Sequence, residues 1–248
     1  MKYLLQGVGV LSNPGYRRFI LIPIVANMIL FGIITTFMWG VFSDTIGWAL
    51  DWLPSWLDFV SWIMWPIMVS IFLIIYGLSF SFITNIFAAP FNGLLAEKIQ
   101  REEGIVLPEG ESLSSVISRT LVREFQKLGY FIWYGLWVTI GLMVLSWIPL
   151  VNLLVPVIAF VWGAWCLAIQ YLDYAADNHQ QSFKDLRSDA KKPMFQTLSF
   201  GGCVALLMMV PVVNIFVMPV AVAGATRFWA REIYHGDGMR DVTASRIN

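Results

Sequence analysis

Four stretches of this chain, residues 19–42, 59–96, 128–172 and 193–226, contain no Lys, Arg, Asp or Glu. A helix rises about 1.5 Å per residue and the hydrocarbon core of a bilayer is about 30 Å thick. Apolar runs beyond about 18 residues therefore read as membrane segments. Only 13% of the residues are charged, against 58% hydrophobic, where an ordinary soluble domain carries roughly a quarter charged. The 16 basic and 16 acidic residues cancel, so no overall field draws in nucleic acid. The expectation is an all-α integral membrane protein, a single membrane domain over 1–248 with the lipid bilayer as its surroundings. The first stretch begins after Arg17 and Arg18, is longer than a secretory h-region and lacks a small-residue cleavage site, so it reads as a permanent span.

The four stretches differ by this ruler. Residues 19–42 fit one crossing, span 1, whereas 59–96 would make a helix of about 57 Å. Span 2 is placed at 62–88, with a break expected at Ala89–Gly93, because Pro90 removes a backbone donor and disfavours helix before it. Residues 94–127 then read as two cytoplasmic helices interrupted from Gly104 to Gly110. In the second, Arg119, Arg123 and Lys127 stand at i, i+4, i+8 as one basic stripe. The stretches 128–172 and 193–226 echo each other in Pro149-Leu150-Val151-Asn152 with Pro156, and Pro211-Val212-Val213-Asn214 with Pro219. Such a patch interrupts a straight helix, so each stretch is read as a helical hairpin with a Pro/Asn tip. The halves of the second hairpin, about 27 and 22 Å long, favour a re-entrant form that penetrates only part of the bilayer. The segment 43–58 alone lacks Lys and Arg and carries Asp44, Asp51 and Asp58. The positive-inside rule places it outside and the other connections in the cytoplasm. Trp48 and Trp52 share a face there and suggest a short interfacial helix, and 235–248 is a polar tail.

Catalytic signatures are scarce. No GxxxxGK[ST] phosphate loop, GxSxG or HExxH occurs, and two histidines supply little metal or triad chemistry. No cofactor is implied, and Cys166 and Cys203, without CxxC spacing, read as buried apolar residues. The enzymatic alternative rests on Asp173, Asp177 and His179, whose bland reading is a solvated helix end. The sharper site is Ser12-Asn13-Pro14-Gly15-Tyr16-Arg17-Arg18. A capping residue and Pro start a helix here, so free backbone N–H groups and the positive dipole end would stand beside two guanidinium groups suited to an oxyanion. The bland reading is a cytoplasmic anchor for the first span. The amides Asn27, Asn85, Asn92, Asn152 and Asn214 could solvate an anion without fixing charge on its path, or could simply bond helix to helix. Glu97, Arg123 and Glu124 are a candidate charged network beside the entrance, or a solvated helix face.

Several blocks resemble the bacterial CysZ sulfate-uptake family: Pro14-Gly15-Tyr16-Arg17-Arg18-Phe19 with Ile22-Pro23 and Asn27, Ala88–Glu97, and Arg123–Lys127. Ala168–Tyr174 with Asp177-Asn178-His179, and Met218–Val222 with Gly224-Ala225-Thr226, continue the match in the family's order. The resemblance implies a multi-pass protein of the bacterial inner membrane that admits sulfate without ATP for cysteine biosynthesis, as a channel or a gradient-driven carrier. It implies two long spanning helices, two partly penetrating hairpins and a homo-oligomer. It also places the sulfate site on Gly15, Tyr16, Arg17 and Arg18, where Tyr16 replaces a Leu of the family motif. Beside transport stand two alternatives, the enzyme above and a non-transporting sulfate-sensing scaffold.

Overall fold

The computed structural model describes residues 2–51, 58–108 and 112–234. Helix α1 (Lys2–Ser12) leads through a 3-10 turn (Pro14–Tyr16) into α2 (Arg17–Asp51), and α3 (Asp58–Glu102) precedes α4 (Leu113–Ser146). A 3-10 turn (Val151–Leu154) then opens α5 (Val155–Asn178), followed by α6 (Phe183–Ala190), α7 (Met194–Met208), α8 (Pro211–Phe228) and a π-helical turn (Trp229–Ile233). No strand occurs among the described residues. Four segments, Pro14–Thr45, Trp62–Phe80, Ser114–Ser146 and Val151–Asn178, are long and apolar enough to cross a membrane.

Local chemistry sets most of the ends. Ser112 caps α4, its hydroxyl accepting the Ser115 N–H at 3.2 Å, and Ser182 caps α6 through Asp185, as short polar side chains do at helix starts. Gly104 takes φ +79° just past α3, and the Ile105 N–H returns to the Gln100 carbonyl at 2.9 Å, an end that favours glycine. The two Pro/Asn patches lie where the chain turns: Pro149 and Asn152 between α4 and α5, and Pro211 at the first position of α8. Only the first demands a left-handed residue, Leu150 at φ +68°.

Three helix boundaries differ from the sequence reading. No break occurs at Pro90, because α3 continues through it to Glu102. Ala88, Ala89, Asn92, Leu95, Ala96, Ile99 and Gln100 are buried at helical spacing across that point, and this packed face outweighs the loss of one backbone donor. The chain also does not change element at 127–128. Lys127, which ends the uncharged stretch, is only 1% exposed, so its charge marks no exit into water. Third, α2 runs on to Asp51, and Trp48 lies within it rather than on a separate interfacial helix. Trp52 and the tail 235–248 lie outside the described residues.

The chain divides into two compact units, one of 21–88 and one formed by 1–20 with 89–248. Within 21–88, α2 and α3 are joined antiparallel by aromatic rings. Phe31 meets Phe80 at 5.5 Å and Phe42 meets Phe72 at 4.4 Å, and the Thr35 and Tyr76 hydroxyls hydrogen-bond at 2.8 Å. Ile33, Phe37, Trp39, Ile71 and Leu73 remain exposed, which is tolerable when the solvent is lipid.

The other unit is built on close helix crossings. A methyl group added at Gly201 on α7 would stand 1.8 Å from the Ala164 carbonyl oxygen on α5. One added at Gly7 on α1 would stand 2.2 Å from the Val220 carbonyl oxygen on α8. Such small-residue contacts bring helix backbones together where apolar burial against lipid supplies little drive. Cys166 and Cys203 are free thiols on α5 and α7.

Candidate anion site

The segment between α1 and α2 is held from three directions. Arg227 donates to the Gln6 carbonyl at 2.5 Å, and Tyr3 donates to Glu232 at 2.5 Å while stacking on Phe228 at 5.3 Å, so α1 is fastened to the end of α8. Burial and the Glu232 carboxylate push the Tyr3 phenol up to about 12. Tyr16 is buried and donates its hydroxyl to Glu102 on α3. Lys98, one turn earlier on α3, donates to the Gly15 carbonyl at 2.7 Å and lies over the Tyr16 ring at 4.2 Å. Glu103 is clasped by Arg231, at 2.9 Å, and by Arg227 at 3.5 Å.

This geometry corrects one expectation about the site. Asn13 does cap the turn, but its side-chain oxygen accepts the Gly15 N–H at 2.9 Å. The Tyr16 N–H goes to the Asn13 carbonyl at 3.1 Å and the Arg17 N–H to the Pro14 carbonyl. These three backbone donors are therefore occupied inside the segment, because a 3-10 turn closes its own hydrogen bonds within three residues. What remains are side chains. Arg17 and Arg18 are exposed, and among the described residues neither forms an ion pair. Arg18 lies over the Phe19 ring at 4.8 Å. The nearby carboxylates are engaged elsewhere, Glu102 by Tyr16 and Glu97 by Arg101 at 2.9 Å. Two unpaired guanidinium groups suit an anion that has no proton to donate.

The basic stripe on α4 and the acidic pair on α5, separate features in the sequence, meet face to face. Arg123 binds Asp173 through Nε at 2.8 Å, and Lys127 approaches the other Asp173 oxygen at 3.3 Å. Arg119 pairs with Asp177 at 2.8 Å, and Thr120 adds a hydrogen bond to Asp177 at 3.3 Å. Glu124 pairs with Lys127 at 2.5 Å. Asp173, Asp177, Arg123 and Lys127 are all buried, so neither bland reading, a solvated helix end or a solvated helix face, describes this cluster. Glu97, Arg123 and Glu124 do not pair with one another. His179 packs on the rings of Tyr234 at 4.8 Å and Trp229 at 5.6 Å and takes no part in the acidic pair's bonds. Both carboxylates of the enzymatic alternative are thus paired with cations.

Of the five amides, Asn27 stands on α2, Asn85 and Asn92 on α3, Asn152 in the second 3-10 turn and Asn214 on α8. Asn92 is buried on α3. Asn152 and Asn214 are exposed at the hairpin tips, Asn27 is half-buried on α2, and the side chain of Asn85 lies outside the described residues. Stitching between α3 and α5 falls instead to Gln100, which donates to the Ala175 carbonyl at 2.9 Å, and Asn178, which donates to the Gly93 carbonyl at 2.8 Å. Lys98 and Glu102 are the site residues that sequence reasoning missed. Their signal was present in Glu97-Lys98-Ile99-Gln100-Arg101-Glu102, where Lys98 and Glu102 share a helical face by their spacing of four.

A family model described as Sulfate transporter CysZ/Etoposide-induced protein 2.4 matches residues 3–219. A protein of Pseudomonas fluorescens (strain Pf0-1) named Sulfate transporter CysZ is 41% identical over 236 residues, covering 93% of this chain and 92% of its own length. Proteins of the same name from Pseudomonas syringae pv. tomato (strain ATCC BAA-871 / DC3000) and Pseudomonas aeruginosa (strain LESB58) are 39% and 37% identical. They too align with 93% of this chain, over 91% and 94% of their own lengths.

Proposed function

The chain belongs to the Sulfate transporter CysZ/Etoposide-induced protein 2.4 family, and from that premise we propose that it carries sulfate across the bacterial inner membrane. The observation that carries this reading is the exposed pair Arg17 and Arg18 at the head of the first long apolar helix, with no ion-pair partner among the described residues. Sulfate at neutral pH is a dianion without a proton, so a pair of guanidinium donors matches its chemistry. Gly15 and Tyr16 contribute position rather than donors.

Uptake proceeds without ATP hydrolysis, as a channel or gradient-driven carrier, and feeds cysteine biosynthesis. Spans 19–42 and 62–88 cross the membrane, the hairpins 128–172 and 193–226 penetrate part of it, and 94–127 lies on the cytoplasmic side. Asn27, Asn85, Asn92, Asn152 and Asn214 solvate the ion along its way, and the protein works as a homo-oligomer. The short α7, about 22 Å, supports a partly penetrating second hairpin. The buried α4–α5 ion pairs support a rigid helix pair rather than a moving part.

Reconstitution into sealed vesicles with labelled sulfate tests the proposal, with and without an imposed proton gradient. Uptake above empty vesicles is expected, together with loss of calorimetric sulfate binding when Arg17 and Arg18 are both replaced by Ala. Folded protein that passes no sulfate overturns transport, and unchanged affinity in the double variant overturns the site.

A further inference from the structure

Lys98, on α3, is a cation that a different helix brings to the 13–18 segment. Its ammonium donates to the Gly15 carbonyl at 2.7 Å, and its charge lies over two aromatic rings, Tyr16 at 4.2 Å and Phe19 at 5.9 Å. Phe19 is the ring that also carries Arg18 at 4.8 Å, so both charges flank one side chain. No carboxylate pairs with Lys98 among the described residues. Glu97 beside it is taken by Arg101, and Glu102 one turn on is taken by Tyr16. An ammonium has three donors, and a single carbonyl uses one of them. The space is closely fitted, since a methyl group on Gly15 would stand 3.0 Å from Nζ.

We propose that Lys98 is the third cationic ligand of the anion bound at Arg17 and Arg18, and that through the Gly15 carbonyl it ties the bound ion to α3. This rests on the Arg17/Arg18 reading above. A dianion held by two guanidinium groups gains a third charge from a flexible stem that can reach it without moving a helix. The aromatic faces hold the ammonium in place while no ion is present. The Gly15 carbonyl, which by itself would repel an incoming oxyanion, is covered by the same ammonium.

The test measures sulfate binding by calorimetry in detergent at several salt concentrations for the parent protein, Lys98→Met, Lys98→Arg and the Arg17→Ala/Arg18→Ala double variant. Thermal unfolding establishes that each is folded. Loss of one charge-assisted contact predicts a drop in affinity of about 10- to 100-fold in Lys98→Met, a shallower salt dependence as one screened charge disappears, and partial rescue in Lys98→Arg. Weakened binding with an unchanged salt slope and no rescue assigns Lys98 a purely structural part and overturns its role as a ligand. Full affinity in Lys98→Met with loss in the double arginine variant overturns the proposal and leaves the site standing. Full affinity in the double arginine variant overturns the site itself, and the Lys98 role with it.

Discussion

Replacing Asp173 by Asn keeps the shape of the side chain and removes its charge from the middle of the α4–α5 interface. The parent cluster is balanced, with Arg119, Arg123 and Lys127 against Asp173, Asp177 and Glu124. Asp173→Asn leaves one positive charge in excess on side chains that are buried, Lys127 at 1% and Arg123 at 8% exposure. Breaking a buried pair from one side costs about 3–5 kcal/mol, because the remaining charge stays desolvated without its partner. For a chain of this size each kcal/mol moves the melting temperature by about 2–4 °C, which predicts a fall of about 6–20 °C. The assay is thermal unfolding of detergent-solubilised protein followed by circular dichroism, with sulfate uptake normalised to folded protein. Adding Lys127→Met restores neutrality, so the double variant should recover part of the loss, a coupling of about 1–3 kcal/mol. A melting temperature within about 2 °C of the parent for Asp173→Asn, or no recovery in the double variant, would refute the reasoning that these ions hold each other in place. If uptake per folded molecule collapses while stability is kept, Asp173 acts in transport and the rigid helix-pair account is wrong.

Gly201→Ala places a methyl group against the Ala164 carbonyl. It must push α7 from α5 by well over 1 Å, and a loss of at least about 1–3 kcal/mol is expected in the same unfolding assay. Leu150→Gly relieves a left-handed residue at the first hairpin tip and should raise stability by about 1 kcal/mol; a lower melting point would show that the exposed Leu150 side chain contributes a contact of its own. Tyr3 keeps its proton in the folded state up to about pH 12, whereas the unfolded phenol loses it near 10. Its contribution is therefore fully present below pH 10 and falls as pH rises from 10 to 12. An alkaline unfolding profile for Tyr3→Phe that descends as steeply as the parent's across that window would contradict this.

Much of the fold was legible from short-range pattern. Uncharged stretches marked the apolar helices, Asn13-Pro14 marked a start, Gly104 an end, and the two Pro/Asn patches the turns at 149–152 and 211. These signals work because capping, proline chemistry and periodicity act within one or two helical turns of the residue concerned. The same locality explains the errors. Pro90 looked like a break because its local cost is real, yet the buried face from Ala88 to Gln100 holds α3 straight through it. Lys127 read as the last residue of a basic stripe on a cytoplasmic helix, yet Asp173 and Glu124 receive its charge inside the protein.

The amino-acid sequence by itself determined that this chain is helical, apolar enough for a bilayer, and equipped with a paired arginine at the head of its first long helix. Only the tertiary structure decided what surrounds that pair. Lys98 and Glu102 bond Gly15 and Tyr16, just ahead of it, from a helix more than eighty residues away in the chain, and α8 anchors the helix that precedes them. The arginine stripe on α4 was free to face water or partner until α5 brought Asp173 and Asp177 opposite. The physical reason is range: a helix's own face follows from spacing along the chain, whereas which two faces meet depends on burying charge against charge across distances that periodicity does not encode.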